Sequence, residues 1–188
     1  LNTAVNSALT HNSNAVTTTN STITRAMLGL SGSVAGDDPE RDSLIQWLRG
    51  ADIHGADPAA PRYQMADPLH GRPATVIYGG TAASPDLDDG VVYSVTNTGY
   101  LSAIVTSDGT ELWSFIPQEL LAQTEALQST EPTFDKSYGL DGDVKVFRHD
   151  VNGNGVIEPT DGDKVYLFFG MGRGGSNLYA LDVSDKDA

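Results

Sequence analysis

The sequence predicts a mainly β chain with short helical insertions, and three observations carry that reading. From residue 73 onward, β-branched and aromatic runs of four to seven residues alternate with Asn/Gly and Asp/Gly turns. The pattern breaks after residue 116 and restarts at residue 143. Across that break Leu101-Ser102-Ala103-Ile104 matches Leu178-Tyr179-Ala180-Leu181, the internal similarity expected of a repeated architecture.

Residues 1–36 are rich in Asn, Thr, Ser and Ala and read as a polar connector from a preceding domain, with one or two helical turns over residues 23–30. Residues 38–50 read as a helix, with Pro39 in its first turn, Leu44, Ile45, Trp47 and Leu48 on its apolar side and Gly50 as its stop. Strands follow at 73–78, 91–96, 100–106 and 111–115, the last three joined by the tight turns at Asn97-Thr98-Gly99 and Ser107-Asp108-Gly109. Four short strands of this kind are the content of one propeller blade. Residues 117–128 read as an inserted helix with Leu120, Leu121, Ala122 and Leu127 on its apolar face, followed by a loop to Gly142. Strands at 143–148, 164–170 and 177–183 begin a second blade. The expectation is therefore part of a β-propeller occupying residues 37–188, about two blades of four-stranded antiparallel sheet. Blade one spans about 73–116 and blade two begins near 143. A propeller needs about 4–8 blades to close, so further chain is expected beyond Ala188.

Composition sets outer bounds. Eleven Lys and Arg stand against 25 Asp and Glu, a formal charge of −14 that disfavours nucleic acid and anionic membrane surfaces and favours cations. With no cysteine, disulfides, zinc–thiolate sites and thiol catalysis are excluded. No run of about 20 apolar residues suggests a membrane span. The chain starts at Leu1 without an initiator Met or a signal peptide, and reads as a piece of a larger protein.

The residues with the clearest chemistry are Asp150-Val151-Asn152-Gly153-Asn154-Gly155-Val156-Ile157-Glu158-Pro159-Thr160-Asp161. Oxygen side chains fall at loop positions 1, 3, 5, 9 and 12, and glycine stands at position 6, where a calcium loop turns sharply. Ca²⁺ takes about 6–8 oxygen ligands, and this spacing offers them from Asp150, Asn152, Asn154, the Val156 carbonyl, and Glu158 or Asp161. A nine-residue loop would close with Glu158 and a twelve-residue loop with Asp161. Ile157 would point into the protein. The bland alternative is a polar hairpin turn, for which Gly153-Asn154-Gly155 would suffice, but a plain turn needs no oxygen at every second position. The flanks, Val144-Lys145-Val146-Phe147 and Val165-Tyr166-Leu167-Phe168-Phe169, read as strands rather than the helices of an EF-hand.

Other motifs carry less. Gly170-Met171-Gly172-Arg173-Gly174-Gly175 lacks the ending of a phosphate loop and reads as a tight bend. Asp86, Asp88 and Asp89 are irregularly spaced and read as a solvated loop. His54, His70 and His149 have no carboxylate or nucleophile at a readable spacing, so no catalytic reading follows and the chain is expected not to be an enzyme. Trp113 reads as a packing residue.

The segment from Leu101 through Glu111-Leu112-Trp113-Ser114-Phe115 resembles the blade signature of quinoprotein-like propellers. The order of several further pieces resembles the C-terminal domain of PilY-type (PilC-type) type IV pilus biogenesis and tip proteins. Those pieces are Leu44-Ile45-Gln46-Trp47-Leu48-Arg49-Gly50, Asp67-Pro68-Leu69-His70-Gly71-Arg72-Pro73, the strand ending in Ile116-Pro117, Tyr138-Gly139-Leu140-Asp141-Gly142, and the glycine run at 170–175 leading to Leu178-Tyr179-Ala180-Leu181-Asp182-Val183. They cover residues 44–183. The resemblance implies a calcium-binding propeller that regulates pilus extension, retraction and surface attachment. Its partners would be pilus subunits (minor pilins) or a host or abiotic surface, and its location extracellular or at the bacterial outer membrane. It also implies calcium at Asp150, Asn152, Asn154, Val156 and Glu158. There are departures: Asn152 and Glu158 stand where the family usually has Asp, Ala66 and Gly71 replace the usual Gly and Ser, and the adhesive von Willebrand A-like part is absent. Arg49-Gly50-Ala51-Asp52 interrupts an Arg-Gly-Asp motif, so no integrin binding is expected. Two alternatives are a fragment of a quinone-dependent dehydrogenase, which the missing cysteine pair disfavours, and a generic calcium-stabilised extracellular binding propeller.

Overall fold

The computed structural model describes residues 11–58, 60–62, 65–129 and 137–187. Residues 1–10 of the predicted connector and 130–136 of the predicted loop to Gly142 lie outside the described residues. The chain divides into two compact units: Leu1–Met65 with Pro117–Lys136, and Ala66–Ile116 with Ser137–Ala188.

The first unit is built around helix α1, Pro39–Leu48. Asp38 caps it by accepting the Arg41 amide at 3.1 Å, which satisfies one of the free N–H groups of the first turn. Leu44, Ile45, Trp47 and Leu48 are buried, together with Ile23, Leu28 and Leu30 from the preceding segment and Leu120 and Leu121 from the insertion. The polar stretch before α1 is tied down by two side chains. Arg41 donates to the carbonyls of Thr18, Asn20 and Ile23 at 2.6–3.0 Å. Buried Asn20 donates to the Ser13 and Ala15 carbonyls. The predicted helix at 117–128 is a 3₁₀ segment, Gln118–Gln123, followed by a five-residue helix α2, Thr124–Gln128. The buried Thr124 hydroxyl donates to the Leu121 carbonyl at 2.6 Å, three residues back, at the switch between the two.

The second unit is all strand and turn. Strands β1 (Ala74–Ile77), β2 (Gly90–Val95), β3 (Leu101–Val105) and β4 (Glu111–Phe115) form an antiparallel meander in sequence order. Strands β5 (Lys145–His149), β6 (Lys164–Gly170) and β7 (Leu178–Asp182) form a second, three-stranded antiparallel sheet. The strands fall within a residue or two of their predicted spans. The matched tetrapeptides both lie on third strands but differ in burial: Leu101 is fully buried, whereas Leu178 is 74% exposed at the edge of its sheet. The two sheets do not close on themselves among the described residues.

The core of this unit takes Val76, Val91, Val95, Leu101, Val165, Leu167, Phe169 and Val183 from four strands, β1, β2, β3 and β6, and the turn after β7. Within it the Tyr78 hydroxyl lies 2.7 Å from that of Tyr93 and donates to the Val183 carbonyl at 2.7 Å, tying the first sheet to the end of the second. Burial raises the pKa of both tyrosines, that of Tyr93 to about 12. Phe115 meets Phe169 and Tyr179 edge-on at 6.1 and 6.2 Å. Trp113 packs against Tyr93 and donates from Nε1 to the Lys186 carbonyl at 3.1 Å, a structural role.

Candidate cation-binding loop

Residues 150–163 connect β5 to β6, and their conformation follows from short side chains that accept amides of their own loop. Asp150 Oδ1 accepts the Gly153 amide at 2.6 Å and Oδ2 the Gly155 amide at 2.8 Å. Asn152 Oδ1 accepts the Asn154 amide at 2.9 Å, and Asn154 Oδ1 the Val156 amide at 2.8 Å. These are successive Asx turns, the local bonding that lets Asp and Asn replace secondary structure. Glu158 joins the chain: its Oε2 accepts from Asn154 Nδ2 at 2.8 Å. The structure thus brings Asp150, Asn152, Asn154 and Glu158 into one hydrogen-bonded series. Val156 is half-buried within the same loop. Asp161 ends an exposed 3₁₀ turn, Pro159–Asp161, and only its amide is bonded back, to the Glu158 carbonyl at 2.9 Å.

Asp163, two residues past the predicted loop, was not legible as part of it. It is fully buried and bridges the loop, accepting the Val151 amide on Oδ1 and the Glu158 amide on Oδ2, both at 2.8 Å. These two backbone donors hold its pKa below the ordinary carboxylate value.

The loop docks on the β1–β2 connection. Ile157 is buried as expected, and its amide donates to the Tyr78 carbonyl at 2.8 Å. The Ala82 amide donates to the Asn154 carbonyl at 2.9 Å. At Gly155, φ is +92° and the Ala82 backbone occupies the space of a Cβ, so glycine is required on both counts. Arg148, near the end of β5, donates from Nη2 to the Gly155 carbonyl at 2.6 Å and lies 4.0 Å from Asp150 Oδ2. An open cleft of about 550 Å³, lined by Thr75, Ile77, Thr81, Val146, Arg148 and Asp150, reaches the loop from solvent.

The donor set suits a hard cation. Its atoms are all oxygens: two carboxylates, two amides and a carbonyl. An oxygen accepting one amide keeps a second lone pair. Among the described residues no three His, Asp or Glu side chains converge, so amide and carbonyl oxygens would have to complete the shell.

The remaining motifs are structural or newly paired. Asp86 and Asp88 are exposed and Asp89 pairs with Lys186. The glycine run forms a 3₁₀ turn, Gly172–Gly174, between β6 and β7. There the Gly174 Cα packs directly on the Gly139 carbonyl, leaving no room for a side chain. His149 is exposed. His70 has a partner that spacing could not reveal: its Nδ1 lies 2.8 and 2.9 Å from the two oxygens of buried Asp141, 71 residues away. No membrane-crossing helix is found among the described residues.

No family profile and no solved structure matches the chain. It is similar to a type IV pilus biogenesis factor PilY1 homolog of Xylella fastidiosa, with 30% identity over 95 residues. The match covers 50% of this chain and 7% of the relative's length.

Proposed function

We propose that this chain is a β-propeller segment of a PilY-type pilus biogenesis factor, and that residues 150–158 bind Ca²⁺. The observation that carries this reading is the Asp150 carboxylate, which gathers the Gly153 and Gly155 amides and curls the loop tightly around the first of its alternate oxygen positions. Calcium would supply positive charge that neutralises Asp150 and Glu158 at the same point. Asp150, Asn152, Asn154, the Val156 carbonyl and Glu158 would hold it, and Asp161 would stay outside on its 3₁₀ turn. Asp163 keeps the two ends of the loop together. Because Asn154 and Ile157 are bonded to Ala82 and Tyr78, order in the loop is passed to the first sheet. The chain would act as a calcium-stiffened surface element that engages pilus subunits or an external surface, without catalysis. The similarity to the pilus factor supports this assignment of partners and of an extracellular or outer-membrane location.

Titration calorimetry of the chain and of Asp150→Ala with CaCl₂ tests the site. Saturable binding at one site, lost in the variant, is expected. Absence of heat at millimolar calcium in the parent chain would reduce the loop to a hairpin turn.

A further inference from the structure

We infer that Arg148 is a built-in counter-cation that props the loop in its metal-free shape and competes with the metal for Asp150. The inference rests on the calcium reading and adds a means of setting its affinity. Arg148 faces Val165 across the β5–β6 pair, and on that side only the buried Asp163 carboxylate, already bonded to two amides, feels its charge. Its guanidinium instead reaches forward over the loop, donating to the Gly155 carbonyl at 2.6 Å and resting 4.0 Å from Asp150 Oδ2. The nearby lysines are engaged elsewhere, Lys145 with Asp143 and Lys164 with Asp182. Arg148 is therefore the cation placed on a candidate ligand, and Asp150 is the more enclosed of the two, its side chain 16% exposed against 37%.

Two consequences follow from charge alone. Without metal, Asp150 and Glu158 share one loop, and a guanidinium beside Asp150 offsets their repulsion while its hydrogen bond holds the turn at Gly155. With a divalent ion on Asp150, a permanent positive charge a few ångströms away is repelled. The half-exposed side chain can swing into the adjoining cleft, which it already lines. Binding is thus an exchange of one cation for another. The exchange lowers affinity and keeps the empty loop folded, so the site answers to changes in calcium at higher concentration than the same ligands would without the arginine.

The test compares the full chain with Arg148→Gln and Arg148→Lys, using calcium calorimetry and amide exchange in EDTA. Arg148→Gln is expected to bind calcium about tenfold more tightly, the effect of removing roughly 1.4 kcal/mol of opposition, and Arg148→Lys to fall between. In EDTA the Gly155 and Val156 amides of Arg148→Gln are expected to exchange several-fold faster. Equal or weaker binding by Arg148→Gln, with the parent chain binding normally, overturns the competition and leaves the calcium site standing. Unchanged exchange in EDTA overturns the propping role. If neither protein binds calcium, the calcium reading itself falls, and the competition with it.

Discussion

Two hairpin connections sit at equivalent places in the second unit, residues 78–89 between β1 and β2 and residues 150–163 between β5 and β6. Both are rich in acids, yet they are closed by different atoms. The first is closed by backbone: Thr81 and Ser84 bond each other, the Asp86 amide donates to the Gly79 carbonyl, and Gly80 bridges Pro85. Its carboxylates are left to ordinary surface duties, Asp86 accepting the Asp88 amide and Asp89 pairing with Lys186. The second connection leans much further on side chains: Asp150, Asn152, Asn154 and Asp163 accept six amides, against the two that Thr81 and Asp86 accept in the first. The number of acids does not make a cation site. What differs between the two connections is how many of the loop's own amides the side-chain oxygens accept.

The largest break in this contrast should come from Gly155→Val. A side chain there meets the Ala82 backbone at a positive φ, so the loop must leave the first connection. Thermal or urea unfolding should show a loss of about 2–4 kcal/mol. Tyr78 serves both loops, its carbonyl bonded to Ile157 and its hydroxyl to Tyr93 and Val183. Tyr78→Phe strands the Val183 carbonyl in the core and should cost about 1–3 kcal/mol by the same assay. In the parent chain the raised pKa values favour the neutral hydroxyls. This contribution is fully present below about pH 10 and is lost as pH rises through the folded values, near 12 for Tyr93. Phenolate absorbance should therefore stop short of the full complement of seven tyrosines until the chain unfolds.

Calcium sharpens the contrast directly. At tenfold over its dissociation constant it should stabilise the parent chain by about 1.4 kcal/mol. Asp86→Asn should keep that increment and Asp150→Ala should lose it. A still smaller effect is confined to acid. Asp163 has its pKa lowered, so its support is present above the unfolded value of about 3.9 and lost as pH falls through the lower folded one. Exchange protection of the Val151 and Glu158 amides should persist below pH 4 and then fail, and Asp163→Asn should remove that transition. Smallest of all, Lys186→Ala takes away a half-exposed ion pair on the first loop and should cost under about 1 kcal/mol, less at high salt.

What could be read from the chain was what lies in short windows. The β-branched runs marked the seven strands, and Asp38-Pro39 marked the start of α1. The Asx turns at Asn152 and Asn154 are local, so the side-chain bonding of this loop follows from a short window, while its binding of a cation stays a proposal. What was not legible rests on partners outside any short window. The carbonyls around Asn20 are gathered by Arg41, 21 residues on. Asp163 drew no reading and His70 stood as a scattered base, because Val151 and Asp141 reach them only through the fold. The insertion at 117–128 shows the reverse limit: its leucine pattern was visible, but not the 3₁₀ pitch that the Thr124 back-bond accompanies.

The contact of Gly174 with the Gly139 carbonyl has a consequence for how this surface can drift over evolutionary time. A methyl group at 174 would run into the Gly139 carbonyl, and one at 139 into the Asn97 carbonyl and the Gly99 backbone, so neither glycine can be exchanged in place. Lineages that descend from this chain can therefore recolour the exposed positions between those glycines, Arg173 among them, while the spacing of the glycines stays frozen. The result is a short motif with a fixed skeleton and a variable face.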